Sequence, residues 1–321
     1  MPPHSDLVQE SRLETSFSLN STRHTFYERG TSGRDRRVRL KERWKRQKRL
    51  GQGAYGTVWL EKCDRPARPN GPTVRAVKEI PFDSTTADGI DYHLELEAVM
   101  KFSQQRYLPS FVQSFGWFDT PEAIFITMEY VPNGDLQKYL ANPIPEDEAK
   151  VIACQLAEGL RHMHRNGFTH RDLKPGNILV VLEGPQWLVQ ISDFGISKRL
   201  RPDMAQQTLG TMRRGTMGFI APEMLGFVLE RDYPHAVDIW SLGAVVFRML
   251  TKEVFLPDLT QLQKYAAKEH PFPDHGLEAL KVTVSLRELL RRLLAPSPKD
   301  RPSASEILED AWLKDISSIK G

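Results

Sequence analysis

Polar and apolar residues begin to alternate in a regular way at Trp44. KRQKRLGQGAYGTVWLEK (45–62) predicts strand, glycine turn, strand, and TVRAVKEI (73–80) predicts a third strand beyond the turn-rich DRPARPNGP. In IDYHLELEAVMKF, Leu94, Ala98 and Phe102 recur at four-residue intervals, which predicts a helix. FVQSFGWF and AIFITMEY then supply two strands rich in aromatic and branched residues. Five strands and one helix make a small, mostly β lobe.

The period changes after Val131. VPNGDLQKYL predicts a loop leading into a helix. PEDEAKVIACQLAEGLRHMHRNG predicts a longer one, with acids at its start, a stripe of Ile152, Leu156, Leu160 and Met163, and Gly167 at its end. ILVVLEGPQWLVQIS reads as a hairpin, AVDIWSLGAVVFRML as a helix buried on nearly every face, and SLRELLRRLLAP and SASEILEDAWL as amphipathic helices. The expected fold class is α+β with two lobes, a β-rich one over about 44–130 and a helical one over about 131–313. Residues 1–43 are polar and aperiodic, the pattern of a flexible basic leader, and 314–321 form a short tail.

Composition narrows the setting. The two cysteines, Cys63 and Cys154, give neither a disulfide framework nor a metal-ligand spacing, which points to a reducing compartment, cytoplasmic or nuclear. No run of about 18 apolar residues suggests a membrane span. Thirteen Lys/Arg against six Asp/Glu fall within residues 1–50, concentrated in RDRRVRLKERWKRQKR. That run reads either as a nuclear-import or anionic-surface patch or as the solvated approach to a strand; no nucleic-acid partner is expected.

Three stretches carry chemistry. LGQGAYGTV places Gly51, Gly53 and Gly56 between strand-like runs, where a missing Cβ lets backbone N–H groups approach a polyphosphate. A dinucleotide-binding turn would open a helix, and TVWLEK suits a strand better. Lys78, in RAVK, is either an ordinary alternating position or a partner for phosphate oxygens. The second role requires a carboxylate, and the following helix offers Glu95, the choice its apolar spacing favours, and Glu97. THRDLKPGNIL then gathers Asp172, Lys174 and Asn177 on one loop, and VQISDFGISK brings Asp193. Singly, each acid reads as a capping or turn residue; jointly they point to one centre. His162, His164 and His170 lack a carboxylate or cysteine to complete a metal site.

In order, GQGAYGTV, RAVK, HRDLKPGN, DFG, GTMGFIAPE, DIWSLG and Arg301 of KDRPSA resemble the motifs of the eukaryotic protein kinases, serine/threonine type, over about 44–313. The resemblance implies a bilobal fold, ATP and Mg²⁺ as cofactors, and protein substrates with Ser/Thr acceptors. It implies Leu50, Gly51, Gly53, Gly56, Val58, Ala76, Lys78, Glu95, Glu129 and Tyr130 around the nucleotide, with Met128 before the hinge. Asp172 is implied as base, Lys174 beside the γ-phosphate, and Asn177 and Asp193 on Mg²⁺. Asp135 stands where relatives that read upstream arginines hold an acid; Gly176 stands where a second such acid often occurs. Arg171 beside Asp172 suggests control by phosphate on Thr208 or Thr211, added by an upstream kinase, with Thr216 before APE as part of the serine/threonine pattern. Glu223 with Arg301 resembles the family's buried ion pair, and Asp238 and Trp240 its central-helix anchors. A pseudokinase scaffold would lack one of Lys78, Asp172, Asn177 or Asp193. A small-molecule phosphotransferase would lack the APE segment and the DIWSLG helix.

Overall fold

Strand alternation reaches further toward the N-terminus than the apolar pattern indicates. The structure, a computed structural model, describes residues 5–18, 21–29, 37–53, 56–66, 71–82, 92–194, 218–230 and 232–314. The chain divides into two compact units, residues 1–108 with 112–130 and residues 109–111 with 131–321.

The first unit opens with a short helix, α1 (Asp6–Glu10), and strands β1 (Glu14–Ser18), β2 (Ser21–Arg29), β3 (Arg37–Gly53), β4 (Gly56–Arg65) and β5 (Val74–Pro81). Helix α2 (Tyr92–Phe102), β6 (Ser114–Asp119) and β7 (Ala123–Met128) complete it. The strands form one antiparallel sheet in the order β1-β2-β3-β4-β5-β7-β6. Seven strands therefore replace the five expected, and the flexible leader is corrected: residues 5–18, 21–29 and 37–43 belong to α1, the segment after it, β1, β2 and the start of β3.

The leader escaped the apolar pattern because its inward residues are polar. On β2, Thr22 and His24 turn to the interior and meet hydrogen-bond partners rather than an apolar stripe. Thr15 Oγ1 lies 2.8 Å from His24 Nδ1, and Thr22 Oγ1 accepts from Arg75 Nη2 at 3.3 Å. Beneath them Arg75 and Glu61 are buried as a pair, 2.7 Å apart, with the guanidinium 4.2 Å from the Trp44 ring. A buried pair of this kind is stable only while each partner keeps the other.

The sheet also closes on itself. Leu13 N donates to Trp117 O at 2.7 Å and Trp117 N to Ser11 O at 3.2 Å, so the chain entering edge strand β1 meets edge strand β6. The β3–β4 hairpin depends on Gly56, whose φ of +147° disfavours any side chain; a Cβ there would stand 2.0 Å from Glu79 O on β5.

The second unit is mainly helical. Helix α3 (Glu146–Arg165) carries three acids in its first turn and buries Ile152, Leu156, Leu160 and Met163. Strands β8 (Ile178–Leu182) and β9 (Leu188–Ile191) form a separate hairpin. Helix α4 (Ala236–Thr251) leaves only Arg248 and Thr251 outside the interior. Helices α5 (Leu259–Ala266), α6 (His275–Ala279), α7 (Val284–Leu293), α8 (Ala304–Leu308) and α9 (Ala311–Lys314) follow. SASEILEDAWL is thus two short helices, the first begun by a capping box of Ser303 and Glu306. LQKY forms a single 3₁₀ turn instead of a helix. No helix among the described residues is long and apolar enough to cross a membrane.

Candidate active site

Each unit presents one set of the residues singled out in the sequence. In the first, β5 places Ala76 and Lys78 on one face and Val77 on the other, as strand geometry requires. Lys78 Nζ donates to Glu95 Oε1 at 2.7 Å, and both side chains are buried. Glu95 meets the lysine because α2 buries Leu96, Ala98, Val99 and Phe102 around it, while Glu97 is only part-buried. Val58 pairs with Gly51 across the β3–β4 hairpin and with Lys78 across β4–β5; Leu50 is 38% exposed. Ala76 pairs with Met128 at the end of β7. Beyond it, Glu129 N donates to Gln113 O at 2.9 Å, Glu129 Oε1 accepts from Gln113 N at 2.7 Å, and Tyr130 is part-buried.

The second unit builds its set on one loop. Lys174 Nζ donates to both carboxylate oxygens of Asp172, at 2.9 and 2.7 Å. Asn177 Nδ2 donates to Asp172 O at 2.8 Å and to Asp172 Oδ2 at 3.0 Å. Asp172 is therefore gripped from two sides, and Asn177, its nitrogen so engaged, offers its amide oxygen outward from that contact.

The same loop is fixed to the segment that follows β9 and leads to Asp193. Asn177 O accepts from Ser192 N at 2.9 Å and Ser192 Oγ at 3.1 Å. His170 Nε2 lies 3.2 Å from Ser192 O, while its Nδ1 accepts from Asp172 N at 3.3 Å, which assigns the ring proton to Nε2. Asp193 is exposed between buried Ser192 and Phe194, whose ring lies 5.4 Å from Phe111. Hard oxygen donors on Asn177 and Asp193, held by one hydrogen-bonded frame, suit a small divalent cation such as Mg²⁺.

Two residues here are strained. Arg171 and Asp193 have φ of +65° and +57°, a left-handed conformation that costs on the order of 1 kcal/mol or more for a residue with a side chain. At Arg171 the offset comes from Asp238 on α4. Its Oδ1 accepts from Arg171 N at 2.7 Å, and its Oδ2 accepts from His170 N at 2.9 Å and lies 2.8 Å from His164 Nε2. Burial pushes the Asp238 carboxyl up, but hydrogen bonding and charge from His164 and the loop outweigh it and hold it below the usual range. His164 thus orients Asp238; among the described residues no group of three or more His, Cys, Asp or Glu side chains is placed to hold a metal ion. Sequence reading named Asp238 only as an anchor and missed Ser192, because a serine before an acid carries no pattern of its own. Thr208, Thr211 and Thr216 lie outside the described residues.

Elsewhere in this unit Arg301 forks onto Glu223, with bonds of 2.6 and 2.8 Å. Asp135 is part-buried, and burial pushes its carboxyl up against the pull of Lys138.

A family model described as protein kinase domain matches residues 44–313. The ovarian-specific serine/threonine-protein kinase Lok of Drosophila melanogaster is 31% identical over 286 residues, 85% of this chain and 57% of that protein. The serine/threonine-protein kinase cds1 of Schizosaccharomyces pombe is 36% identical over 216 residues, 65% of this chain and 46% of that protein. The chain thus spans about half the length of these curated relatives. Among solved structures, Rad53 1-466 in complex with AMP-PNP is similar at a TM-score of 0.65 and 28% identity, over 83% of this chain and 64% of that one.

Proposed function

The chain belongs to the protein kinase family, and from that premise we propose that it transfers the γ-phosphoryl group of ATP to serine or threonine hydroxyls of protein substrates. The observation that carries this reading is the double grip on Asp172 by Lys174 and Asn177. Phosphoryl transfer asks for positioning and charge stabilisation rather than covalent help, and an acid so held has both.

Asp172 takes the proton of the attacking hydroxyl. Lys174, already bonded to the Asp172 carboxylate, extends a cation toward the γ-phosphate. Lys78 binds α- and β-phosphate oxygens, with Glu95 holding the ammonium in place. The backbone around Gly51, Gly53 and Gly56 covers the phosphates. Leu50, Val58 and Ala76 face the adenine, and the segment Glu129–Tyr130 offers its backbone. Asn177 and Asp193 would hold Mg²⁺ through their oxygens, and the ion would supply neutralisation of phosphate charge when bound. The AMP-PNP bound to the related Rad53 supports ATP as the nucleotide. The retention of Lys78, Asp172, Asn177 and Asp193 favours catalysis over a scaffold role.

Control is assigned to Arg171, with phosphate on Thr208 or Thr211 as its anion and Thr216 at the acceptor side. Asp135 is the group available to read an upstream arginine. The two cysteines are free thiols, in keeping with a cytoplasmic or nuclear setting.

Radiolabelled ATP with a degenerate peptide array, run beside Asp172→Asn, tests the reading. Removing the base is expected to lower kcat about 10²–10⁴-fold with ATP binding retained. Transfer that continues undiminished in the variant would overturn the assignment. A mass-spectrometric phosphate map of the same active preparation, empty at both Thr208 and Thr211, would remove them from control.

A further inference from the structure

The segment before β1 touches α2, which carries Glu95, and the buried cluster to which β5, the strand of Lys78, contributes Val77. Helix α1 lies against α2, the helix of Glu95. Val8, at its centre, is 1% exposed, and its carbonyl accepts the Trp117 indole N–H at 2.7 Å. Ser11 and Leu13 then bracket Trp117 with the backbone bonds that close the sheet. Arg12 bonds Asp119 at 2.6 Å and lies 5.4 Å from the centre of the Trp117 ring. Leu13 packs against a buried cluster of Val77, Phe118, Ala123 and Phe125, and Val77 is the neighbour of Lys78 on β5.

β6 is shaped to receive this segment. Gly116 has φ of +115°, and a Cβ there would stand 2.6 Å from Ser11 O and 3.0 Å from the Leu13 side chain. Only glycine lets the two chains approach so closely.

A bond of 2.7 Å between two side chains confined by burial tolerates little movement of the elements that carry them. α2 joins the rest of its unit partly through α1, and Leu13 packs on the cluster to which β5 contributes Val77. We infer that residues 5–18 are a positioning element for the Lys78–Glu95 pair, a clamp that holds α2 and β5 at the separation the pair requires. The inference rests on the kinase reading for its consequence in catalysis, but not for the clamp itself. A purely structural extension would stabilise the unit without bearing on this pair more than on any other; a clamp acts through Glu95.

The test uses the full chain. Val8→Asp puts a charge at a buried site and is expected to loosen α1 from α2. In the native background it should lower kcat/KM for ATP by about tenfold, and in a Glu95→Gln background by less than about twofold, because effects that pass through one contact do not add. Equal factors in both backgrounds, or no effect in either, would overturn the clamp. Hydrogen exchange gives a readout independent of activity: amides of α2 should exchange faster in Val8→Asp while those of α4 do not change. Equal acceleration in both helices means general unfolding and counts against the clamp. Should Val8→Asp fail to fold, Arg12→Ala, which loses the pair with Asp119 and the contact with the Trp117 ring, is expected to shift the same α2 amides by a smaller factor; no shift refutes the proposal. If the intact chain transfers no phosphate, the kinase reading fails, while the exchange comparison still decides the clamp.

Discussion

At the scale of single residues, Asp238 shows how one buried carboxylate can set a backbone. It accepts from two successive peptide N–H groups, at His170 and Arg171, and those bonds hold Arg171 in a conformation that side chains avoid. An asparagine of the same shape would turn one N–H₂ toward those donors. Asp238→Asn is therefore expected to lower unfolding free energy by about 2–4 kcal/mol and phosphoryl transfer by at least about tenfold. Denaturant unfolding and steady-state kinetics check both, and a variant with unaltered unfolding would show that the loop is held by other contacts.

At the scale of elements, β2 carries a titration into the closed sheet. His24 is fully buried, and burial first, then the nearby Arg75 cation, depress its pKa from 6.5 to about 3. Thr15 Oγ1 also bonds Leu13 O at 3.0 Å, so its single hydrogen points there and His24 Nδ1 carries the ring proton. The folded state thus holds the imidazole neutral, while the unfolded chain protonates it below about pH 6.5. Protons bind the unfolded state more strongly between about pH 6.5 and about 3, so the stability from His24 is complete above that window and declines as pH falls through it. Going from pH 7.5 to 5 is expected to remove about 2 kcal/mol from the first unit, and His24→Gln should flatten that slope. Thermal unfolding across this interval decides it; a variant that follows the native curve would acquit the histidine. Legibility at this scale divides along the same line. The glycine hairpin, the strand of Lys78, the helix of Glu95 and the buried α4 were readable because apolar periodicity marks them. β1 and β2 were not, since Thr15, Thr22 and His24 satisfy their inward side by hydrogen bonds. A period-two reading of STRHTFYER that ignored polarity would have found the strand.

At the scale of the whole molecule, motif order was enough to indicate the family, and the match over 44–313 shows it. What motif order could not indicate lies in side-chain geometry: that Asn177 and Lys174 converge on the same carboxylate and that Ser192 joins that loop to Asp193, whereas the choice of Glu95 for Lys78 is already favoured by the apolar spacing of α2. The closed sheet has one further consequence. The family match starts at Trp44, inside β3 (Arg37–Gly53), so a protein trimmed to that boundary would lose β1, β2 and seven of the 17 residues of β3, the strand that β2 pairs with. The cut would bare the peptide groups of Trp44 and Lys45 on one side and of Trp117 on the other, and uncover Arg75 and Glu61, which are now buried. Unpaired strand borders recruit other chains. Poor solubility of such a fragment would then report on where it was cut, and say nothing against the enzyme.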